Sequence, residues 1–420
     1  VFDIDLMSGP ASRGLEFIED CNAAREHSPV FWSELSNTWI IGRHADVSDG
    51  FRGRKPLINR GRLFTFALGA VSPDQRAKLL PNMHRYMPSW ILEVDPPDHT
   101  RLRRLVMVAF TKRIVENMRG TIRARVDELL DYAESSREVE FNEKIARLLP
   151  GYIVFKMLGM PEKYMADLRE WSNALVLALS RPGTSIEELR ACDEAIAQMN
   201  RIVLEELEKR RTAPQDDLLT ELLHATDEGD KLTIEELLGV MHILIVAGHD
   251  TTANTMTLIT EALSRRPDAW DYIRDNPDQI LACVNELMRY VAMSAGQPKF
   301  VGADFEWHGQ QLRKGQPVVL LIAGANRDPR VFDNPEALDF SRNNIDSQVF
   351  APGIHHCIGH LLAKLQLCEF VSALVNRFES VQVLDDPLNF MPTFAFRGMW
   401  GMNVRFQTRA PNQLTNSSSA

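Results

Sequence analysis

From about Asp98 to Val291 apolar residues recur every three to four positions, the spacing that gives a helix one buried face. Breaks at Pro150, Pro161, Pro182, Pro214 and Pro267 divide this stretch into successive helices. Beyond Val291 the pattern changes to short runs between turns, with candidate strands at Phe305–His308, Pro317–Leu321 and Gly401–Phe406. The expectation is a mainly α chain with a small β region. With no internal repeat and no Gly/Ser linker, residues 1–407 read as one domain, and 408–420 as a frayed polar tail.

One helix stands apart. Thr233-x-x-Glu236 is a capping-box start, and no proline follows until Pro267, so the helix is expected to run to Arg266 and to cross the core. Its centre reads Ala247-Gly248-His249-Asp250-Thr251-Thr252, a poor choice by local physics. Glycine costs about 1 kcal/mol there relative to alanine, and a buried carboxylate is costly unless paired. Two readings remain open at this point. One is a packing notch at Gly248, with Asp250 and Thr251 facing solvent. The other is a groove against which a flat ligand and a small molecule lie, with an acid and a hydroxyl placed to deliver protons.

Composition narrows the function classes. At 420 residues the chain can bury a large core, and its apolar and charged fractions are those of a globular protein. A net charge of −10, with no dense Lys/Arg run, argues against a nucleic-acid partner. The five cysteines are scattered and include no Cys-x-x-Cys pair, which excludes the common zinc spacing and suits a reducing cytoplasm. Residues 1–17 carry no signal-like apolar stretch, and runs such as Val318–Ala325 are too short to span about 30 Å of hydrocarbon, so no membrane anchor is expected.

The most informative stretch is Phe350-Ala351-Pro352-Gly353-Ile354-His355-His356-Cys357-Ile358-Gly359, followed by a helical run from His360 to Arg377. Cys357 sits on a Pro/Gly loop just before a helix, where unpaired N–H groups and the helix dipole favour a thiolate. A thiolate can ligate iron. Cys368, set among Leu365, Leu367 and Phe370 in the following helix, reads instead as core.

The string Phe-x-x-Gly-x-His-x-Cys-x-Gly closely resembles the haem-ligating loop of the cytochrome P450 family. The resemblance implies one haem b per chain with Cys357 as axial ligand, Phe350 beside the thiolate, Gly353 at the tight turn, His355 on a propionate and Gly359 letting the backbone approach the cofactor. It assigns Ala247 and Gly248 to the cofactor groove, Thr251 to a proton-donating network beside dioxygen, Asp250 to proton relay, and Thr252 to packing. It makes Glu286-x-x-Arg289 a buried structural pair, completed from Asn326-Arg327-Asp328-Pro329 or Asp339-Phe340-Ser341-Arg342. It places His99 and Arg103, four apart on one helix face, on the propionates, with Lys299 where the family usually offers arginine. Two departures are visible: Ala351 where many members have glycine, and no proline in the run from Arg289 to Gly296.

The fold so implied is the cytochrome P450 prism, and the reaction is insertion of one oxygen atom from dioxygen into a small, largely apolar organic substrate. Electrons would come from a ferredoxin or flavodoxin-type donor with its reductase, met by Arg104, Lys112, Arg113 and Lys364. Pocket walls are expected from Phe64, Phe66, Trp90, Leu177, Ile243, Val246, Met293, Phe394 and Phe396, with Arg397 as either an anion anchor or a structural cation. The alternatives are a peroxide-using or rearranging haem-thiolate enzyme and a non-catalytic haem sensor; the acid–threonine pair favours the monooxygenase.

Overall fold

The computed structural model describes residues 2–6, 13–61, 68, 71–180, 184–227, 229–342, 346–393 and 395–409. Phe64, Phe66, Pro182, Phe394 and the tail from 410 lie outside them. The helices that position the site are α1 (His44–Phe51), α2 (Asp98–Ala109), α3 (Leu148–Leu158), α4 (Met165–Ser180), α5 (Ile186–Thr212), α6 (Ile234–Ser264), α7 (Ile280–Val291) and α8 (His360–Arg377).

Helix α6 is the axis of the molecule. It begins with the expected reciprocal cap: Glu236 N–H donates to Thr233 Oγ1 (3.2 Å) and Thr233 N–H to Glu236 Oε2 (2.9 Å). It then runs for 31 residues while α3, α4, α5, α7 and α8 pack around it. Such wide coverage explains why its apolar residues are not confined to one stripe. The helix stops at Ser264 rather than Arg266. Proline disfavours helical backbone in the residue before it, and Arg266 is extended at φ −135°, ψ 75°.

One other proline reading changes. Pro150 breaks nothing: it is the third residue of α3, where no intrahelical acceptor is waiting for its missing N–H. Before α7, the Asn276 side-chain amide donates to the Tyr272 carbonyl (2.9 Å), and a single 3-10 turn, Pro277–Gln279, leads into the helix.

The larger sheet draws on both ends of the chain. Its strands are β1 (Val30–Ser33), β2 (Thr38–Ile41), β3 (Leu57–Ile58), β5 (Gln297–Val301) and β6 (Pro317–Leu320), in the order β1-β2-β6-β5-β3. Only β2 and β6 run parallel, with Val319 opposite Ile40; the other pairs are antiparallel. The β region is therefore not confined to the last hundred residues as the sequence suggested. A smaller sheet, β7-β8-β4, joins β7 (Phe378–Val383), β8 (Asn403–Thr408) and β4 (Glu138–Glu140). Phe305–Trp307 forms a separate hairpin with Gln310–Leu312.

Beside these sheets, helices α2 to α8 share one large apolar core. Within it Glu286 and Arg289 of α7 are fully buried and form a two-pronged pair, Nε to Oε2 and Nη2 to Oε1, at 2.7 Å each. Arg342 adds a third contact to Glu286 Oε1 at 3.2 Å. The remaining Arg289 protons go to the carbonyls of Asn326, Pro335 and Ala337, each 2.9 Å away. This buried charge is thus satisfied on every side, and it ties α7 to the segment that precedes the cysteine loop.

Candidate active site

The cysteine loop is closed by its own backbone. Cys357 N–H donates to the Phe350 carbonyl (3.0 Å), His356 N–H to Gly353 (3.1 Å) and Ala351 N–H to Gln348 (3.0 Å). Gly353 has φ +116°, and a Cβ there would lie 2.1 Å from the Phe51 carbonyl oxygen at the end of α1. Glycine is required by this approach as well as by the turn. Ala351 holds φ +50° without glycine's freedom, so the departure noted in the sequence is a strained position. At Gly359 a Cβ would meet no protein atom, which leaves open the space into which a cofactor would fit.

The Cys357 sulfur faces the Gly359 amide and the Arg103 guanidinium, both of which favour a thiolate. Burial outweighs them and raises the thiol above its ordinary value. Without a bound cation, burial thus opposes the helix start and the Arg103 charge at Cys357; a bound metal cation would favour the thiolate.

Cationic and imidazole groups converge beside it. His99 is 1% exposed, and neither of its ring nitrogens has a hydrogen-bond partner among the described residues. Its ring lies 4.0 Å from that of His355, centre to centre. Burial, then the charge of Arg103, pushes His99 down to about 4, with Lys299 adding to the effect and Asp95 opposing it. Lys299, buried on β5, donates to Asn59 Oδ1 (2.7 Å). Arg103 is half-buried and has no carboxylate partner among the described residues. A buried imidazole with idle nitrogens beside the Arg103 guanidinium, which no carboxylate neutralises among the described residues, is a receptor for anionic oxygen atoms.

Helix α6 reaches the same region through an apolar cluster. Leu102 of α2 packs with Ile91 and Val94, and both Ile243 of α6 and Ile358 of the cysteine loop lie against them. The centre of α6 divides the two readings left open by the sequence. Gly248 is a packing position: a Cβ there would fall 2.7 Å from Val154 Cγ2 of α3, so its bare side faces a helix and not the cofactor groove. Asp250 does not face solvent. It is buried, its Oδ2 has no partner, and Oδ1 is 3.6 Å from His249 Nδ1. Thr251 Oγ1 donates to the Ala247 carbonyl four residues back (2.6 Å), and Ala247 is exposed on the same face. Thr252 is buried, as a packing residue should be.

Of the expected pocket walls, Leu177, Ile243, Val246 and Met293 are half-buried. Trp90 is core: it is fully buried, and its indole N–H donates to His242 Nδ1 (3.2 Å). Phe396 packs beside the smaller core under the sheet. Arg397 is a structural cation, its guanidinium donating to the carbonyls of Val291 and Gly14. Among the basic residues expected to meet a donor, Arg104, Lys112 and Arg113 are exposed, whereas Lys364 lies over the Phe350 ring at 5.5 Å. The sequence did not reveal the partners of His249 or of Lys299, because both contacts join segments far apart in the chain.

The groups present suit a haem: one cysteine facing amide and guanidinium donors, and a cationic cradle for carboxylates. The comparisons agree. Residues 69–399 match the family Cytochrome P450. Cytochrome P450 CYP107DY1 of Priestia megaterium is 33% identical over 83% of this chain and 84% of its own length. Steroid C26-monooxygenase of Mycobacterium tuberculosis is 31% identical over 97% of this chain and 98% of its own. The crystal structure of P450BioI in complex with an acyl carrier protein ligated to hexadec-9Z-enoic acid superimposes with a TM-score of 0.86 at 27% identity, covering 94% of this chain and all of that one. With the cysteine loop, the long central helix and the buried Glu286–Arg289 pair in one mainly helical fold, this chain belongs to the cytochrome P450 family of haem-thiolate monooxygenases, in its bacterial form.

Proposed function

We propose that Cys357 is the axial ligand of a haem, and that the chain uses it to insert one oxygen atom into a small, largely apolar organic substrate. The observation that carries this is the convergence of Arg103 and the Gly359 amide on the Cys357 sulfur, next to the partnerless ring of His99. When bound, the haem supplies dioxygen activation, with thiolate electron donation favouring O–O cleavage.

The chain's own residues divide the remaining work. Arg103, His99, His355 and Lys299 hold the propionates, the first by a guanidinium that no carboxylate already neutralises. Phe350, whose carbonyl accepts the Cys357 N–H, would pack on the thiolate side of the haem. On the opposite side Thr251 and Asp250 hold and pass the protons that the reaction consumes. Leu177, Ile243, Val246 and Met293 line an apolar pocket for the substrate; a relative named for a steroid is in keeping with that character.

An external ferredoxin or flavodoxin-type donor, with its reductase, supplies the electrons. Arg104, Lys112 and Arg113 offer charge to an acidic donor, and apolar contact comes from exposed Met107 and Val108 on α2, Ile354 on the cysteine loop and Leu361 on α8. Among the described residues no helix is long and apolar enough to cross a membrane, and all five cysteines are free thiols, as a reducing cytoplasm would keep them.

The test is the absorption spectrum of the ferrous carbon monoxide complex for wild type and Cys357→Ala. The expected result is a strongly red-shifted Soret band that vanishes in the variant. Haem-replete wild type without that band would overturn the ligand assignment. Oxygen insertion that depends on a donor, and is not supported by peroxide alone, then separates the monooxygenase from its haem-thiolate relatives.

A further inference from the structure

We propose that His249 is a positioning residue for Asp250, holding one carboxyl oxygen so that the other is kept for proton delivery; the proposal rests on the haem monooxygenase reading above. Asp250 is an acid in an unusual state. It is buried on α6, Oδ2 is without a hydrogen-bond partner, and no Lys or Arg lies within ion-pair distance of it among the described residues. The group that faces Oδ1 is its own neighbour, the His249 imidazole, with Nδ1 at 3.6 Å.

His249 is itself fixed from three sides. Nδ1 lies 3.1 Å from the hydroxyl oxygen of Ser172, a fully buried residue of α4. The Arg147 carbonyl, just before α3, lies against the ring. Gly151 of α3 makes the space: a Cβ there would come within 3.2 Å of His249 Cδ2. A side chain at position 151 would press on the imidazole, so glycine on one helix and serine on another fit a single ring orientation.

The charged and titratable groups around the ring set how it responds to pH. They are Asp250 on its own helix, Arg147 and Glu143 on the segment leading into α3, and Arg169 on α4, paired with Glu143 at 2.7 Å. Burial is the largest influence and keeps the ring neutral below the ordinary histidine range. Neutral His249 orients Asp250 without locking it. Once protonated, the ring carries a positive charge with Nδ1 3.6 Å from Oδ1, an ion pair that immobilises the acid and removes it from proton delivery.

The experiment uses the haem-loaded full chain, reduced by NADPH through a plant-type ferredoxin and its reductase, with dioxygen as the only other reactant. The ratio of peroxide released to oxygen consumed, and the solvent deuterium isotope effect on oxygen consumption, are measured from pH 5 to 8. In parallel, ¹⁵N-histidine NMR follows the His249 ring nitrogens, assigned by their loss in His249→Asn. For wild type the peroxide fraction should rise at the acidic end as His249 titrates. His249→Leu and Ser172→Ala should release at least twofold more peroxide at pH 7.5, with a larger isotope effect and no acidic limb in the leucine variant. His249→Asn, which keeps a polar group near Oδ1, should recover part of the coupling. Asp250→Asn should move the His249 titration to lower pH.

Variants that keep the thiolate carbon monoxide band but leave peroxide release, isotope effect and pH profile as in wild type would overturn the positioning role and leave the enzyme reading intact. If His249→Leu does not fold, Ser172→Ala, which removes one oxygen atom on another helix, decides the same question. Loss of the carbon monoxide band in wild type would instead fail the parent reading.

Discussion

The backbone oxygen of Phe51 lies 2.1 Å from where a side chain on Gly353 would begin, which locks the cysteine loop against the end of α1. Gly353→Ala must push the loop away and also force a positive φ on alanine. A loss of about 2–3 kcal/mol in stability is expected, together with a several-fold fall in haem content. Denaturant titration and the haem-to-protein absorbance ratio check both.

Position 351 calls for the opposite change. Ala351 already holds a left-handed backbone at φ +50°, where glycine carries no steric penalty. Ala351→Gly should therefore stabilise the protein by about 0.5–1 kcal/mol, after allowing for the small loss of buried surface. For a chain of this size the gain is roughly 1–2 °C in Tm, measurable by calorimetry.

Removing the Glu286 charge leaves the buried Arg289 and the half-buried Arg342 without the counter-charge they share. Glu286→Gln should cost about 3–5 kcal/mol, far more than an exposed pair, because the loss is an uncompensated buried cation. Haem-free and haem-loaded protein should both be destabilised. Equal stability of the variant in urea would show that the pair is dispensable.

His242 gives the protein an acid limit. Its Nδ1 accepts the Trp90 indole proton, and its Nε2 lies 2.8 Å from Asn200 Oδ1, an arrangement that only the neutral ring satisfies. Burial pushes its folded value down to about 3, below the ordinary 6.5 of the unfolded chain. A lowered histidine value means that the unfolded state binds the proton more tightly. Its contribution is whole above about pH 6.5 and is lost progressively as pH falls from there toward 3. His242→Leu should be less stable at pH 7 by about 2–3 kcal/mol, since Trp90 and Asn200 lose their partner. Between pH 7 and pH 5 its urea midpoint should fall less than that of wild type.

Arg103 separates cofactor affinity from folding. Because no carboxylate pairs with it among the described residues, Arg103→Leu should leave the stability of the haem-free chain within about 0.5 kcal/mol of wild type. The rate of haem loss to an acceptor protein should rise by an order of magnitude or so, as expected for losing a charge-assisted bond of about 1.5–3 kcal/mol.

Local signals were legible wherever one stretch of chain carried the whole reason. The Thr233–Glu236 cap announced α6, Glu286-x-x-Arg289 announced the buried pair, and Arg342 stood where the third contact was sought. Strands β1 and β2 were overlooked although Phe31-Trp32 and Trp39-Ile40-Ile41 carry the aromatic and β-branched residues that mark strands. What could not be read were contacts made by the fold alone. Ser172 reaches His249 across 77 positions, and Asn59 reaches Lys299 across 240; in each case the sequence shows two ordinary polar residues. At Cys357 the helix start is visible in the sequence, whereas the burial that opposes it in the metal-free chain is made by the fold.

The strand order β1-β2-β6-β5-β3 also has a meaning for synthesis. Trp39 on β2 donates its indole proton to Gln316, 277 positions later, just ahead of the strand that pairs in parallel with β2. As the chain leaves the ribosome, the β1–β2 hairpin has to wait with an unpaired edge until the more than 270 residues that separate β2 from β6 have been made. Nascent chains should therefore depend on edge-shielding chaperones while the segment between β2 and β6 is translated, and a slowed ribosome should lengthen that exposure.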